Sequence, residues 1–265
     1  MRALIRLLLC LASVVLTGLV IVPSTATSAS TSAAEDCQVA AHRGDHTQYT
    51  ENGMGAFKRA ASVGAEWLEA DARVTSDQRV VLMHDSTVDR TTNGRGAVAK
   101  KTAQQIRGLR LNDGIYAPPY ATQLLNLAEA TNRQVLLELK AMGTGTSYSR
   151  LASSIRGAGV ERVTIQSFSA ARLARIKALV PRVKTAITTR TALPASTIRA
   201  NGGIVVEQSA ITDHWLSTVV GLPVYAWTVD SHADWERLST RVDAIITNNP
   251  AGYIAARASL CGRGP

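Results

Sequence analysis

The sequence predicts an α/β fold, a TIM-type (β/α)8 barrel with one short antiparallel hairpin strand after its second strand. Three observations point there. Short apolar runs bounded by turn residues alternate with helically periodic segments along almost the whole chain. Polar and charged residues collect at the carboxyl ends of those runs, the rim where such barrels carry their chemistry. The 265 residues, 46% hydrophobic and 18% charged, suit a well-packed domain of that size.

The first strand, Val39 to Ala41, is a short apolar run ending in His42-Arg43-Gly44, as a buried parallel strand does when it delivers polar groups to its end. Met54, Phe57, Ala60 and Ala61 recur at helical spacing and predict a helix over Asn52 to Val63, closed by Gly64. The second strand, Trp67 to Ala72, sets Glu69 and Asp71 on one face and Leu68 and Ala70 on the other. Two carboxylates side by side repel, and a cation between them or a cationic partner accounts for the pair most simply. Too few residues separate Asp71 from Val80 for a parallel crossover, so Arg79 to His84 must return as a hairpin through Thr75-Ser76-Asp77-Gln78. That return brings His84 beside the strand end carrying His42.

Gly94 and Gly96 mark a loop, Thr102 to Leu109 a short helix, and Tyr116 to Tyr120 a second loop. Thr122 is placed to cap a helix over Gln123 to Thr131. The third parallel strand, Gln134 to Lys140, turns Val135, Leu137 and Leu139 one way and Glu138 and Lys140 the other. Helix Ser147 to Ala158, closed by Gly159, then opens a regular cycle. Strand Val163 to Ser167, helix Ala170 to Leu179 and strand Val183 to Ile187 follow. A weak helix at Ala195 to Ala200, strand Ile204 to Glu207, helix Ile211 to Val220 and strand Val224 to Val229 continue it. Helix Ala233 to Leu238, strand Ala244 to Thr247 and helix Ala251 to Arg257 close it, for eight strands without the hairpin strand.

The barrel is expected over residues 35–265, with residues 1–34 apart from it. Arg2 and Arg6 precede an apolar run, Leu7 to Val22, and a small-residue stretch, Pro23 to Ala34. That order reads as a secretory signal, so the mature protein is expected outside the cell with no stable membrane insertion. A membrane anchor is the alternative, since the apolar run approaches spanning length, but Pro23 and the small residues favour cleavage. Cys10 would leave with the signal. Cys37 and Cys261 stand just before the first strand and just before the chain end, and a closed barrel brings those regions together. In an exported protein they are expected to form a disulfide, two free thiols being the alternative. The net charge of +9 suits phosphates, anionic headgroups or acidic polymers. Nucleic acid is not expected as a partner: the basic residues are scattered and no recognition or base-stacking motif appears.

At one rim, Glu69, Asp71 and Glu138 offer hard oxygen ligands for one divalent ion, Ca2+ or Mg2+. Arg43 and Lys140 can neutralise a phosphate, and His42 and His84 can serve as acid and base. Taken singly, each has a blander reading as a structural histidine or an ion pair; their joint position at strand ends favours a site for phosphodiester cleavage. Trp227 would line a cleft or plug the barrel mouth. His46, His214 and His232 carry no assignment.

The order His42-Arg43-Gly44, Glu51-Asn52, Glu69-x-Asp71, His84-Asp85, Arg90-Thr91-Thr92-x-Gly94 and Glu138-x-Lys140 resembles the glycerophosphodiester phosphodiesterase family. Ser167-Phe168, Trp227-Thr228-Val229 and Ile246-Thr247-x-x-Pro250 extend the likeness across nearly the whole mature chain. The resemblance implies a barrel enzyme hydrolysing glycerophosphodiesters to glycerol 3-phosphate and an alcohol, through a cyclic phosphate formed by the neighbouring glycerol hydroxyl. It implies that Glu69, Asp71 and Glu138 bind the metal, His42 and His84 form the acid/base pair, and Arg43 and Lys140 hold the phosphate. Glu51, Asn52 and Trp227 are expected around the substrate. The chain departs from the family at Thr50 and Gly53 around Glu51-Asn52, at Gln78 in the hairpin turn, at Asp230 for Asn and at Asn248 for Asp.

Two rivals remain. A phospholipase D-like relative acting on intact or lyso phospholipids would need an apolar rim, whereas the loops after these strands are polar and glycine-rich. A secreted module binding teichoic-acid-like polymers would not need His42 and His84; such polymers could also be the substrate of an active enzyme.

Overall fold

Strand pairing begins with β1 (Gln38–Ala41), which lies parallel to β2 (Trp67–Val74) on one side and to the last strand, β9 (Ala244–Thr247), on the other. Between them run β4 (Gln134–Ala141), β5 (Val163–Ser167), β6 (Lys184–Thr189), β7 (Ile204–Glu207) and β8 (Val224–Trp227), each parallel to its neighbours. The result is a closed eight-stranded parallel barrel of the TIM type. β3 (Val80–Leu82) bonds antiparallel to β2 outside the ring, the hairpin strand expected from the short Asp71–Val80 interval. The computed structural model describes residues 37–262, and the signal expected over residues 1–34 lies outside them.

Helices join the strands: α1 (Met54–Val63), α2 (Ala103–Arg107), α3 (Ala121–Ala130), α4 (Gly145–Ala158), α5 (Ala170–Leu179), α6 (Ala195–Asn201), α7 (Asp213–Thr218), α8 (His232–Leu238) and α9 (Pro250–Cys261). None of the described helices is long and apolar enough to cross a membrane. The alternation along β2 is visible in its packing. Leu68, Ala70 and Ala72 join the main core with helix residues such as Phe57, Leu124 and Leu151. Each such leucine or phenylalanine removed from water contributes roughly 1.5–3 kcal/mol. Inside the ring, Trp67, Leu136, Val205, Tyr225 and Ile246 form a second cluster, with Trp67 and Tyr225 in edge contact at 5.6 Å. The barrel is thus floored by large side chains, with the carboxylates Glu69, Asp71 and Glu138 further along the same strands toward their carboxyl ends.

Several boundaries differ from the sequence expectation. Asn52 lies outside α1 because it adopts φ 56°, a left-handed conformation that asparagine tolerates, and spends its side chain on Asp71. Thr102 and Thr212 precede their helices as caps, accepting from Gln105 N and Trp215 N. α3 starts at Ala121 rather than after Thr122, with Tyr120 N donating to Gln123 Oε1. β2 runs on to Val74, past a register shift against β4 at Ala72 and Arg73. Cys37 and Cys261 are disulfide-bonded, their Cα atoms 6.4 Å apart across 224 residues of sequence.

Candidate active site

The chain leaves β1 through a tight turn. Arg43 takes φ 58° and Gly44 φ 82°, and a Cβ on Gly44 would stand 2.7 Å from the Ala56 carbonyl carbon. Only glycine fits that approach to α1. The turn holds the Arg43 amide 2.9 Å from Glu69 Oε2, to which it donates, while the His42 amide donates to Thr247 O. First and last strands therefore fix the position of His42 together.

Glu69 and Asp71 point into the ring from β2, and Glu138 joins them from β4, where it is in register with Asp71. All three are buried, and one ligand oxygen from each lies within 4.8 Å of the others. Burial and the neighbouring Asp71 raise the pKa of Glu69 well above the ordinary carboxylate range. Burial raises Glu138 too, against the pull of Lys140. At Asp71 burial is outweighed by Lys140 and Arg43, and the pKa falls. Lys140 Nζ lies 2.7 Å from Glu138 Oε2 and 3.3 Å from Asp71 Oδ1, and Arg43 Nε 3.2 Å from Asp71 Oδ2. Two of the three acids thus stay short of positive charge despite both cations. A hard all-oxygen donor set with that deficit fits a divalent ion such as Ca2+ or Mg2+.

His84, at the end of the β3 hairpin, faces the same cavity as His42. Arg73, just past the β2 irregularity, grips the His84 carbonyl from Nε at 2.9 Å and Nη2 at 2.6 Å. His84 Nδ1 lies 2.8 Å from Asp85 Oδ1. Arg90 bonds Asp85 and also Glu51, which in turn pairs with Arg43 at 3.1 Å. This chain of charges ties the two histidine-bearing loops to each other and depresses the pKa of both acids; at Glu51, Arg90 and Arg43 outweigh burial. His42 Nδ1 lies 2.8 Å from Asn248 Oδ1, and burial and Arg43 lower its pKa from 6.5 to about 4.

The cavity is lined by His42, Arg43, Glu69, His84, Glu138, Lys140 and Trp227, with Gln166, Phe168, Thr188 and Arg190. It is small, about 80 Å³, against about 580 Å³ for the hollow around Leu216 and Arg241, but His42 and His84 line the former, whereas the latter has Asp213 and Asp243 and no histidine among its described lining residues. Glu51 and Asn52, expected around the substrate, stand behind it: Glu51 holds Arg43, and Asn52 donates to Asp71 Oδ2 at 2.8 Å. Asn52 also accepts from the Asp71 amide at 2.9 Å, so it orients that carboxylate on both sides. Trp227 lines the cavity edge-on to Phe168, and the plug below is Trp67. Among the described residues, the buried Gln166 Oε1 and Thr188 Oγ1 have no hydrogen-bond partner, and both residues line the cavity. His46, to which the sequence reading assigned nothing, sits 3.1 Å from Asn248 beside His42. The two departures Asp230 and Asn248 touch, at 2.7 Å.

Residues 42–252 match the sequence profile of the "Glycerophosphoryl diester phosphodiesterase family". The chain is 30% identical over 236 residues to the glycerophosphodiester phosphodiesterase of Caldanaerobacter subterraneus subsp. tengcongensis, covering 82% of this chain and 96% of that protein. Its fold is similar to a putative glycerophosphodiester phosphodiesterase from Galdieria sulphuraria at TM-score 0.76, with 23% identity, covering 84% of this chain and 98% of the other. It is also similar to an Oleispira antarctica phosphodiesterase in complex with the product sn-glycerol-3-phosphate, at TM-score 0.74 and 21% identity, over 86% and 99% of the two chains. The chain therefore belongs to the glycerophosphoryl diester phosphodiesterase family and is a phosphoric diester hydrolase.

Proposed function

We propose that the protein is an exported, metal-dependent enzyme that converts glycerophosphodiesters to glycerol 3-phosphate and an alcohol. The observation that carries this reading is one cavity lined by two imidazoles, the carboxylates and two cations. Glu69, Asp71 and Glu138 would hold a divalent ion, which when bound polarises phosphoryl oxygens and lowers the pKa of a nearby hydroxyl. Arg43 and Lys140 neutralise the phosphate. His42 takes the proton of the glycerol 2-hydroxyl as its oxygen bonds to phosphorus, and His84 gives a proton to the departing alcohol oxygen as the other P–O bond breaks. Water then opens the cyclic phosphate to glycerol 3-phosphate, with the two proton transfers reversed. The disulfide supports an oxidising compartment and hence export.

A substrate panel tests the reading. Glycerophosphocholine should be turned over, with activity abolished by chelator and restored by Ca2+ or Mg2+; lysophosphatidylcholine should not be. Among the described residues, the exposed large apolar side chains are Leu179 at the end of α5 and Ile115, Phe168 and Val220 in three separate loops, a scatter that supports a polar rather than a lipid substrate. Turnover of the lysolipid alone would favour the phospholipase D-like alternative.

The pKa of His42 sets a second expectation. A base must have a free lone pair to act, and His42 stays neutral, with a single ring proton, until the pH falls to about 4. At saturating metal ion the acid limb of kcat/KM should therefore lie near pH 4 rather than at the ordinary histidine value of about 6.5. A limb centred near 6.5 in a pH–rate profile would contradict the assignment of His42.

A further inference from the structure

The contact between Asp230, Asn248 and the two neighbouring histidines determines which nitrogen of His42 carries a proton. Asp230 follows β8 and accepts through both oxygens. Its Oδ1 takes the Asn248 amide at 2.8 Å and the Thr247 hydroxyl at 2.9 Å, and its Oδ2 takes Asn248 Nδ2 at 2.7 Å. A carboxylate has no proton to give, so the Asn248 side chain must turn its NH2 to Asp230. Its oxygen then has to face the other way. There it meets His42 Nδ1 at 2.8 Å and His46 Nε2 at 3.1 Å. An amide oxygen only accepts, so both rings must donate to it.

We propose that Asp230 and Asn248 are positioning residues that lock His42 in the tautomer with the proton on Nδ1, leaving the Nε2 lone pair for the cavity. This deepens the phosphodiesterase reading and rests on it, since a lone pair at Nε2 is what a proton acceptor lining that cavity needs. His46 is part of the lock. It fills the second lone pair of the Asn248 oxygen, so no water or substrate hydroxyl needs to bind there and turn the amide over.

The orientation of the lock depends on the order of the two side chains. With Asn at 230, its oxygen stays with the Asn248 amide and the Thr247 hydroxyl and its NH2 takes the place of Oδ2, so the Asn248 side chain is free to turn its oxygen toward that NH2 and away from the rings. With the pair exchanged, a carboxylate at 248 accepts from both rings and an amide at 230 donates to it, which restores the same tautomer.

The test uses protein labelled with 15N-histidine, with the His42 signals identified by their loss in His42→Gln. Long-range 1H–15N spectra of the unaltered protein should show His42 protonated on Nδ1 and bare on Nε2. Asp230→Asn should mix the tautomers and lower kcat about 10- to 100-fold, the range for losing a partner that orients a working histidine. KM and the melting temperature should stay close to those of the parent. The exchanged pair, Asp230→Asn with Asn248→Asp, should recover both the single tautomer and kcat to within about threefold. The proposal is overturned if His42 carries its proton on Nε2, if Asp230→Asn changes neither spectrum nor kcat, or if the exchanged pair is no better than the single variant. The spectra need no substrate, so a protein inactive on glycerophosphodiesters would sink the functional reading while still reporting on the lock.

Discussion

Glu69→Gln is expected to fold and to lose about a thousandfold in kcat/KM, because a bound ion's charge stabilisation is worth several kcal/mol and about 1.4 kcal/mol is tenfold in rate. Glu69 is buried, flanked by Asp71, and its pKa is raised well above the ordinary carboxylate range. The sign of the stability effect follows from that rise. The protonated form is favoured in the fold, so stability is full below the ordinary carboxylate range and declines as the pH climbs through and past it. At neutral pH the metal-free protein therefore carries an unfavourable charge at Glu69. A neutral amide removes it, and a divalent ion offsets it. Melting curves should show the parent rising in Tm on addition of Ca2+ or Mg2+, while Glu69→Gln starts no lower and gains little. A variant that kept the full metal-induced rise would place the ion elsewhere.

Removing the Cys37–Cys261 bond is the largest expected stability change. It closes a loop spanning 224 residues, and on the chain-entropy account a loop of that length contributes about 5 kcal/mol. In a chain this long each kcal/mol moves the midpoint by roughly 2–4 °C, so the Cys37→Ala, Cys261→Ala double variant should melt about 10–20 °C lower. Activity at room temperature should persist, because the cysteines lie at the entry of β1 and the end of α9, away from the cavity. Reduction of the parent by a thiol should reproduce the shift. An unchanged midpoint would mean that the closure of β1 onto β9 already holds the ends together.

The barrel was legible because its signal is periodic and local: Leu68 and Ala70 against Glu69 and Asp71, or Leu137 against Glu138, announce two faces of a strand. The hairpin strand followed from chain length alone. What stayed hidden depends on contacts far apart in sequence. Nothing in the neighbourhood of His46 says that its ring meets Asn248 beside His42, since the contact spans 202 residues. The sequence ended the second strand at Ala72 and left Arg73 without a role, yet just past the register shift its guanidinium bonds the His84 carbonyl. Gln166 had a usable signal, being paired in register with Glu138 on the adjacent strand, and it donates to Glu69 at 2.8 Å. Nothing local in Glu51-Asn52 shows that their side chains bond Arg43 and Asp71. A motif reveals that a residue matters, whereas only geometry shows whether it touches the ligand or holds the residue that does.

The way the ring is joined also decides how the molecule can be presented. β1 starts, and α9 finishes, on the side of the barrel opposite the histidines, with the two ends bonded to each other. A fusion partner or an immobilising tag joined directly at Cys37 or at the end of α9 would therefore hold the protein by its base and leave the opening clear for whatever diffuses past.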